Sequence, residues 1–156
     1  DKTLPETLES ISANKELKDK FNIVSPEMII LDSKVKTSDV TNMIKEIKNI
    51  QGIDFALSLS EFEKLGLSEN VIPDELLKIF KSGKYQMVLV NSIYEVASDE
   101  INNQITLVND IVKKYDKTAI VAGEGPLMKD LRKIFSLLKT LTDKAVELKT
   151  GIEIEI

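Results

Sequence analysis

Two unbroken apolar runs organise the chain. Met28-Ile29-Ile30-Leu31 is followed by Asp32-Ser33, and Met87-Val88-Leu89-Val90 is followed by Asn91-Ser92. A short continuous apolar run bounded by polar residues describes a strand covered on both faces. Each run leads through a polar stretch to a helix-start signal, Thr37-Ser38-Asp39 in the first copy and Ala97-Ser98-Asp99-Glu100 in the second. Ser38 and Ser98 read as N-caps, with acidic residues placed where the first turn favours them. Val40, Met43, Ile44, Ile47 and Ile50 then recur at helical spacing, with Gly52 where a C′ glycine belongs. In the second copy Ile101, Ile105, Val108, Ile111 and Val112 mark the buried stripe. Ile53, Phe55, Leu57 and Leu59 alternate as a half-buried strand, and Lys117–Ala122 reads as the last strong strand.

The order is therefore β-α-β twice, with an insertion between the copies. Such crossovers are right-handed almost without exception. Interleaving two of them predicts an α+β fold: a ferredoxin-like βαββαβ arrangement, with a four-stranded antiparallel sheet and helices on one face. The expected organisation is a single domain over 1–156. It comprises a leading helix within 1–22, a first βαβ over 27–59, an insertion over 60–84 and a second βαβ over 85–123. A C-terminal helix and a short strand follow over 126–156. Within the insertion, Pro73-Asp74-Glu75 opens a short helix running to Phe80, closed by Gly83. Ile152, Ile154 and Ile156 alternate at the end and offer a strand for pairing with a sheet edge, in the same or another copy.

Composition narrows the chemistry. Apolar residues make up 42% and charged residues 30% of the 156, a globular balance. A chain of this size buries enough surface to fold without a metal or disulfide. There is no His, Cys or Trp. That absence removes thiol nucleophiles, the usual zinc ligands and every imidazole-dependent triad. No catalytic, cofactor-binding or metal-binding residue is assigned, and the chain reads as a non-enzyme. A net charge of −5 argues against a nucleic-acid footprint. No apolar run is long enough to cross a bilayer. The first residues form no signal peptide, and the chain reads as an excised piece of something larger.

Three groupings invite a functional reading. Gly123-Glu124-Gly125-Pro126 lies between a strand and a helix, as a phosphate loop would, but lacks the required spacing and sets Glu124 where phosphate belongs. Its glycines read as turning and packing residues. Asp32 and Asn91 end the paired strands, where they could ligate a cation or work as acid and base; capping the turn that leaves each strand is the simpler role. Asp99, Glu100, Asp110 and Asp116 read as a solvated face, and Lys113-Lys114 complements the helix end.

Several segments together carry a family likeness: Leu4-Pro5 through Ser12-Ala13-Asn14-Lys15-Glu16-Leu17 to Phe21, Ile50-Gln51-Gly52-Ile53 and Ile72-Pro73-Asp74. Lys84-Tyr85-Gln86-Met87, Tyr94-Glu95-Val96-Ala97-Ser98-Asp99-Glu100 and Gly123-Glu124-Gly125-Pro126 with Lys129-Asp130 continue it. In order and spacing this resembles the MMPL-type transporters of the RND superfamily, of the Gram-positive type, over about residues 1 to 130. The resemblance implies an extracytoplasmic porter domain at the cell membrane, itself soluble, in an exporter driven by an ion gradient. Its partners would be the rest of the transporter and a sister extracytoplasmic domain, and its substrates lipids, drugs or other amphipathic molecules. It also implies that the energy-coupling carboxylates lie in membrane helices outside this chain.

The likeness stops near Asp130. A family member would then enter the membrane, whereas Arg132, Lys133, Lys139, Asp143, Lys144, Glu147 and Lys149 punctuate this segment. A charge at the bilayer centre costs at least a few kcal/mol. Expected docking or substrate surfaces are the helix-free sheet face, the insertion over 60–84, and Gly123, Glu124, Gly125 and Pro126. Self-association through Ile152–Ile156 is a further expectation. The competing reading is a free-standing cytosolic ferredoxin-like module that binds a ligand or regulates, because this fold hosts many functions.

Overall fold

The computed structural model describes residues 15, 18, 19, 23–64, 70, 74–123 and 136. In chain order the elements are β1 (Ser25–Asp32), α1 (Thr37–Lys48), β2 (Ile53–Leu57), α2 (Leu59–Lys64), α3 (Asp74–Phe80), β3 (Lys81–Ser82), β4 (Tyr85–Ser92), α4 (Asp99–Tyr115) and β5 (Ile120–Gly123). The expected leading helix, the Gly125–Pro126 turn, the C-terminal helix and Ile152–Ile156 lie outside the described residues.

The sheet is antiparallel throughout, in the order β2-β4-β1-β5. It has five strands rather than the expected four. Gly83, at positive φ, belongs to the tight turn of a β3–β4 hairpin and does not simply close a helix. The two unbroken apolar runs are the two central strands, paired from Ser25 opposite Ser92 to Asp32 opposite Tyr85. Central strands need apolar cover on both faces, which is why these runs do not alternate.

Directly opposed residues share a face, so the register assigns sides. Ser25, Glu27, Ile29 and Leu31 of β1 face the same way as Val88 and Val90 of β4, Val121 of β5 and Ala56 of β2. Helices α1 and α4 pack there. Val40, Met43, Ile44 and Ile47 from α1, with Val108 and Val112 from α4, close one core around Ile29, Leu31, Val88 and Val90. The α1 stripe is core, as its spacing implied.

The opposite face carries Met28, Ile30, Met87, Leu89, Phe55 and Leu57. Its expected availability is reduced by burial: Leu89 is 0% exposed, and Met28 and Met87 are also buried. Ile30, Phe55 and Leu57 are half-buried, and Tyr85 and Ile120 are exposed.

Helix starts divide the two copies. Ser98 caps α4 as expected, its hydroxyl oxygen accepting from the Ile101 N–H at 3.2 Å. Ser38 does not cap α1; that helix begins two residues earlier, with Lys36 at its N-cap and no side-chain cap. Nor is Gly52 a C′ residue. Helix α1 ends at Lys48 with Asn49 as its C-cap, and Gly52, at φ +89°, turns the chain into β2. No helix among the described residues is long and apolar enough to cross a membrane.

Candidate functional site

The helix-facing row of β1 changes character along its length. Ile29 and Leu31 meet the core, but Glu27, two residues back on the same face, is an acidic residue that is only 6% exposed. It stands beside a cavity of about 310 Å3. Ser25, Pro26 and Glu27 of β1 form one wall, and Val121 and Gly123 of β5 the next. Ile101, Asn102 and Ile105 of α4 close the third side, with Val96 and Ala97 of the β4–α4 loop at the rim. The volume is at the lower edge of the range, roughly 300–1,000 Å3, typical of small-molecule sites.

Burial pushes the Glu27 carboxyl up from 4.5 to about 7. Removing a carboxylate from water disfavours its charged form. Among the described residues no cation or hydrogen-bond donor offsets that loss. The group therefore changes charge near neutrality, where in a chain without His no unperturbed side chain titrates.

The rim is built under strain. Ala97 holds φ at +64°, the left-handed region that disfavours residues with a Cβ. Its neighbours fix it there. Ser98 donates its hydroxyl to the Glu95 carbonyl at 2.7 Å while capping α4, and the Ser25 hydroxyl donates to the Tyr94 carbonyl. Strained backbone that its surroundings hold in place is concentrated at ligand sites and switches.

Behind the rim, Gly52 and Tyr94 are in close contact. The Ile93 N–H donates to the Gly52 carbonyl at 2.9 Å, and a buried Gln104 amide donates to the Gln51 carbonyl at 2.8 Å. The turn before β2 is thereby tied to the β4–α4 loop and to α4.

Of the expected site residues, Gly123 lines this cavity, and a Cβ there would lie 3.4 Å from the Glu27 Cγ. Glu124, Gly125 and Pro126 lie outside the described residues. Asp32 caps its own turn as expected, its carboxylate accepting from the Lys34 N–H two residues on at 2.8 Å. Asn91 does not. It is buried, its Oδ1 accepts from the Ser25 N–H at 3.2 Å, and its Nδ2 donates to Asp54 at 3.0 Å across a β2 bulge. Asp32 and Asn91 also lie at opposite ends of the antiparallel β1–β4 pair, so they do not form one site. No cluster of acidic residues suited to a metal occurs among the described residues.

The charges at the end of α4 are partly structural. Asp116 accepts from the Asp32 N–H at 2.8 Å and from Thr118, contacts that hold its carboxyl below the usual range against the effect of its partial burial. Lys114, at 2.6 Å, and the Tyr115 hydroxyl both donate to Glu46, joining α4 to α1 and lowering the Glu46 pKa.

Glu27 and Ala97 were not singled out by the sequence pattern. The signal for Glu27 was present: extending β1 back to Ser25 puts an acid on the inward row Ser25-Glu27-Ile29-Leu31. Compared with protein-family models, curated proteins and solved structures, the chain matches none.

Proposed function

We propose that this chain is the extracytoplasmic porter domain of an ion-gradient-driven exporter, with a ferredoxin-like core. It lines or gates a path for amphipathic molecules and docks on the neighbouring domains of its transporter. One observation carries the reading. Two segments that bear the family resemblance, far apart in sequence, line one cavity at one end of the sheet, Val96 and Ala97 at its rim and Gly123 in its wall, and a third, at Gly52, packs against Tyr94 of the first. The shared cavity gives the first two a common physical purpose. The strand order β2-β4-β1-β5, with the helices between paired strands lying over one face, supports the fold part of the proposal. The function cannot rest on fold alone, since this arrangement serves many roles.

The absence of Cys allows a clean topological test. Leu107 is 51% exposed on α4, away from the cavity, so a Leu107→Cys variant of the full parent protein presents a single accessible thiol within this chain. A membrane-impermeant maleimide applied to intact cells should label it, in the membrane fraction. Labelling only after lysis, in the soluble fraction, would establish the free-standing cytosolic module instead.

A further inference from the structure

The cavity pairs an apolar lining with one acidic residue, Glu27, which is 6% exposed and has no cation or hydrogen-bond donor among the described residues. Withdrawing a carboxylate from water without a partner is expensive, and such an acid escapes that cost by taking up a proton. A ligand that brings its own positive charge and N–H donors removes the penalty differently, by pairing. Anions are disfavoured by the same carboxylate, and neutral apolar molecules leave it unmatched.

We propose that this cavity is a binding site for a small organic ammonium ion. Its N–H groups meet the Glu27 carboxylate beside the Ser25 hydroxyl, and its apolar body rests against Val96, Ile101, Ile105 and Val121.

Three features support this choice of ligand. Glu27 is the only titratable group among the described residues lining the cavity; those from β1, β5, α4 and the β4–α4 loop are otherwise apolar or neutral, with Ser25 and Asn102 the polar side chains. Asp99 and Glu100 in the adjoining first turn of α4 add negative potential outside the mouth, and the chain as a whole carries −5. The rim at Ala97 is open to solvent and conformationally strained, which gives a route in. The inference deepens the exporter reading by naming a substrate chemistry, and rests on it only for the biological role of the site. Binding itself is a property of this chain.

Titration calorimetry on the whole chain with phenethylammonium, 3-phenylpropan-1-ol and 3-phenylpropionate tests it. Phenethylammonium should bind about tenfold more tightly at pH 8 than at pH 6, because the ionised fraction of a carboxyl titrating at about 7 rises by about that factor. The alcohol should bind at least about tenfold more weakly than the ammonium at pH 8, and the carboxylate should not bind. Glu27→Gln keeps the side chain's size and should abolish both the preference for ammonium and the pH slope. Ile105→Phe narrows the cavity without replacing the carboxyl and should weaken the ammonium and the alcohol alike, which keeps the test decisive should the Glu27→Gln variant not fold. Equal or tighter binding of the alcohol or carboxylate would overturn the inference. So would an unchanged ammonium preference in Glu27→Gln, or no ammonium binding at all. None of these results bears on the maleimide labelling, which reads topology alone.

Discussion

Gly52 packs against the ring of Tyr94: a Cβ built on its α-carbon would clash with the Tyr94 Cε2 and fall 2.8 Å from the Gln104 amide nitrogen. Its φ of +89° is also closed to residues with a side chain. The turn entering β2, the loop leaving β4 and the middle of α4 thus converge on a position that tolerates only glycine.

Gly52→Ala should therefore be severely destabilising. Backbone strain alone costs about 1–2 kcal/mol, and moving a ring packed by its neighbours adds a comparable overpacking cost of about 1–3 kcal/mol. Urea unfolding should show a midpoint lowered by the equivalent of about 3 kcal/mol. A change under about 1 kcal/mol would mean the Tyr94 ring has room to swing away.

Glu27 should make the protein less stable as pH rises through neutrality. Its folded-state pKa of about 7 stands above the ordinary 4.5, so between those values the folded chain holds a proton that the unfolded chain has released. The stabilisation is complete below about 4.5 and is lost as pH climbs to about 7. Each tenfold difference in proton affinity is worth roughly 1.4 kcal/mol, so the loss is about 3 kcal/mol. Wild type should unfold at lower urea at pH 8 than at pH 5, and Glu27→Gln should remove most of that difference. Glu46 and Asp116, whose pKa values are lowered, act in the opposite sense and at more acidic pH.

Asn91→Ala should cost about 2 kcal/mol, measured by the same unfolding experiment. The substitution strands the Ser25 N–H and leaves the Asp54 carboxylate without its partner at the β2 bulge. A buried donor left unsatisfied costs about 1–3 kcal/mol. A neutral result would show that water replaces both bonds.

Ser98→Ala should cost about 1 kcal/mol through loss of the α4 cap. The same change at Ser38 should cost little, because that hydroxyl caps nothing. The contrast between two serines in matching sequence settings is the measurement that counts, since each controls for the other.

Much of the framework is legible in the sequence. Helix α4 matched its capping signal and stripe because both are local: the Ser98 hydroxyl reaches three residues ahead, and an apolar face at helical spacing must turn toward a core. The two central strands were legible from continuous apolar runs for a similar reason. Ser38 and Gly52 misled because a plausible cap and a plausible C′ glycine are only preferences. The next backbone that the helix packs against decides whether they are used. Asn91 misled for the complementary reason: its partners are Ser25 and Asp54, which no local pattern links to it.

The candidate site was less visible. Gly123 was noticed for its loop, yet its place beside Glu27 depends on β5 pairing with β1 in a register that aligns Gly123 with Glu27. Glu27 itself was hidden because a charged residue at the edge of an apolar run reads as a strand end until the strand is seen to continue past it.

The order of apolar and polar residues by itself settled two central strands, two capped or acid-led helices and a doubled β-α-β plan, since each depends on periodicity within a segment. Only the assembled sheet decided that an acid lies inside a hollow rather than in water. Burial and the proton affinity that follows from it belong to neighbours brought together by strand register, and those neighbours sit far along the chain.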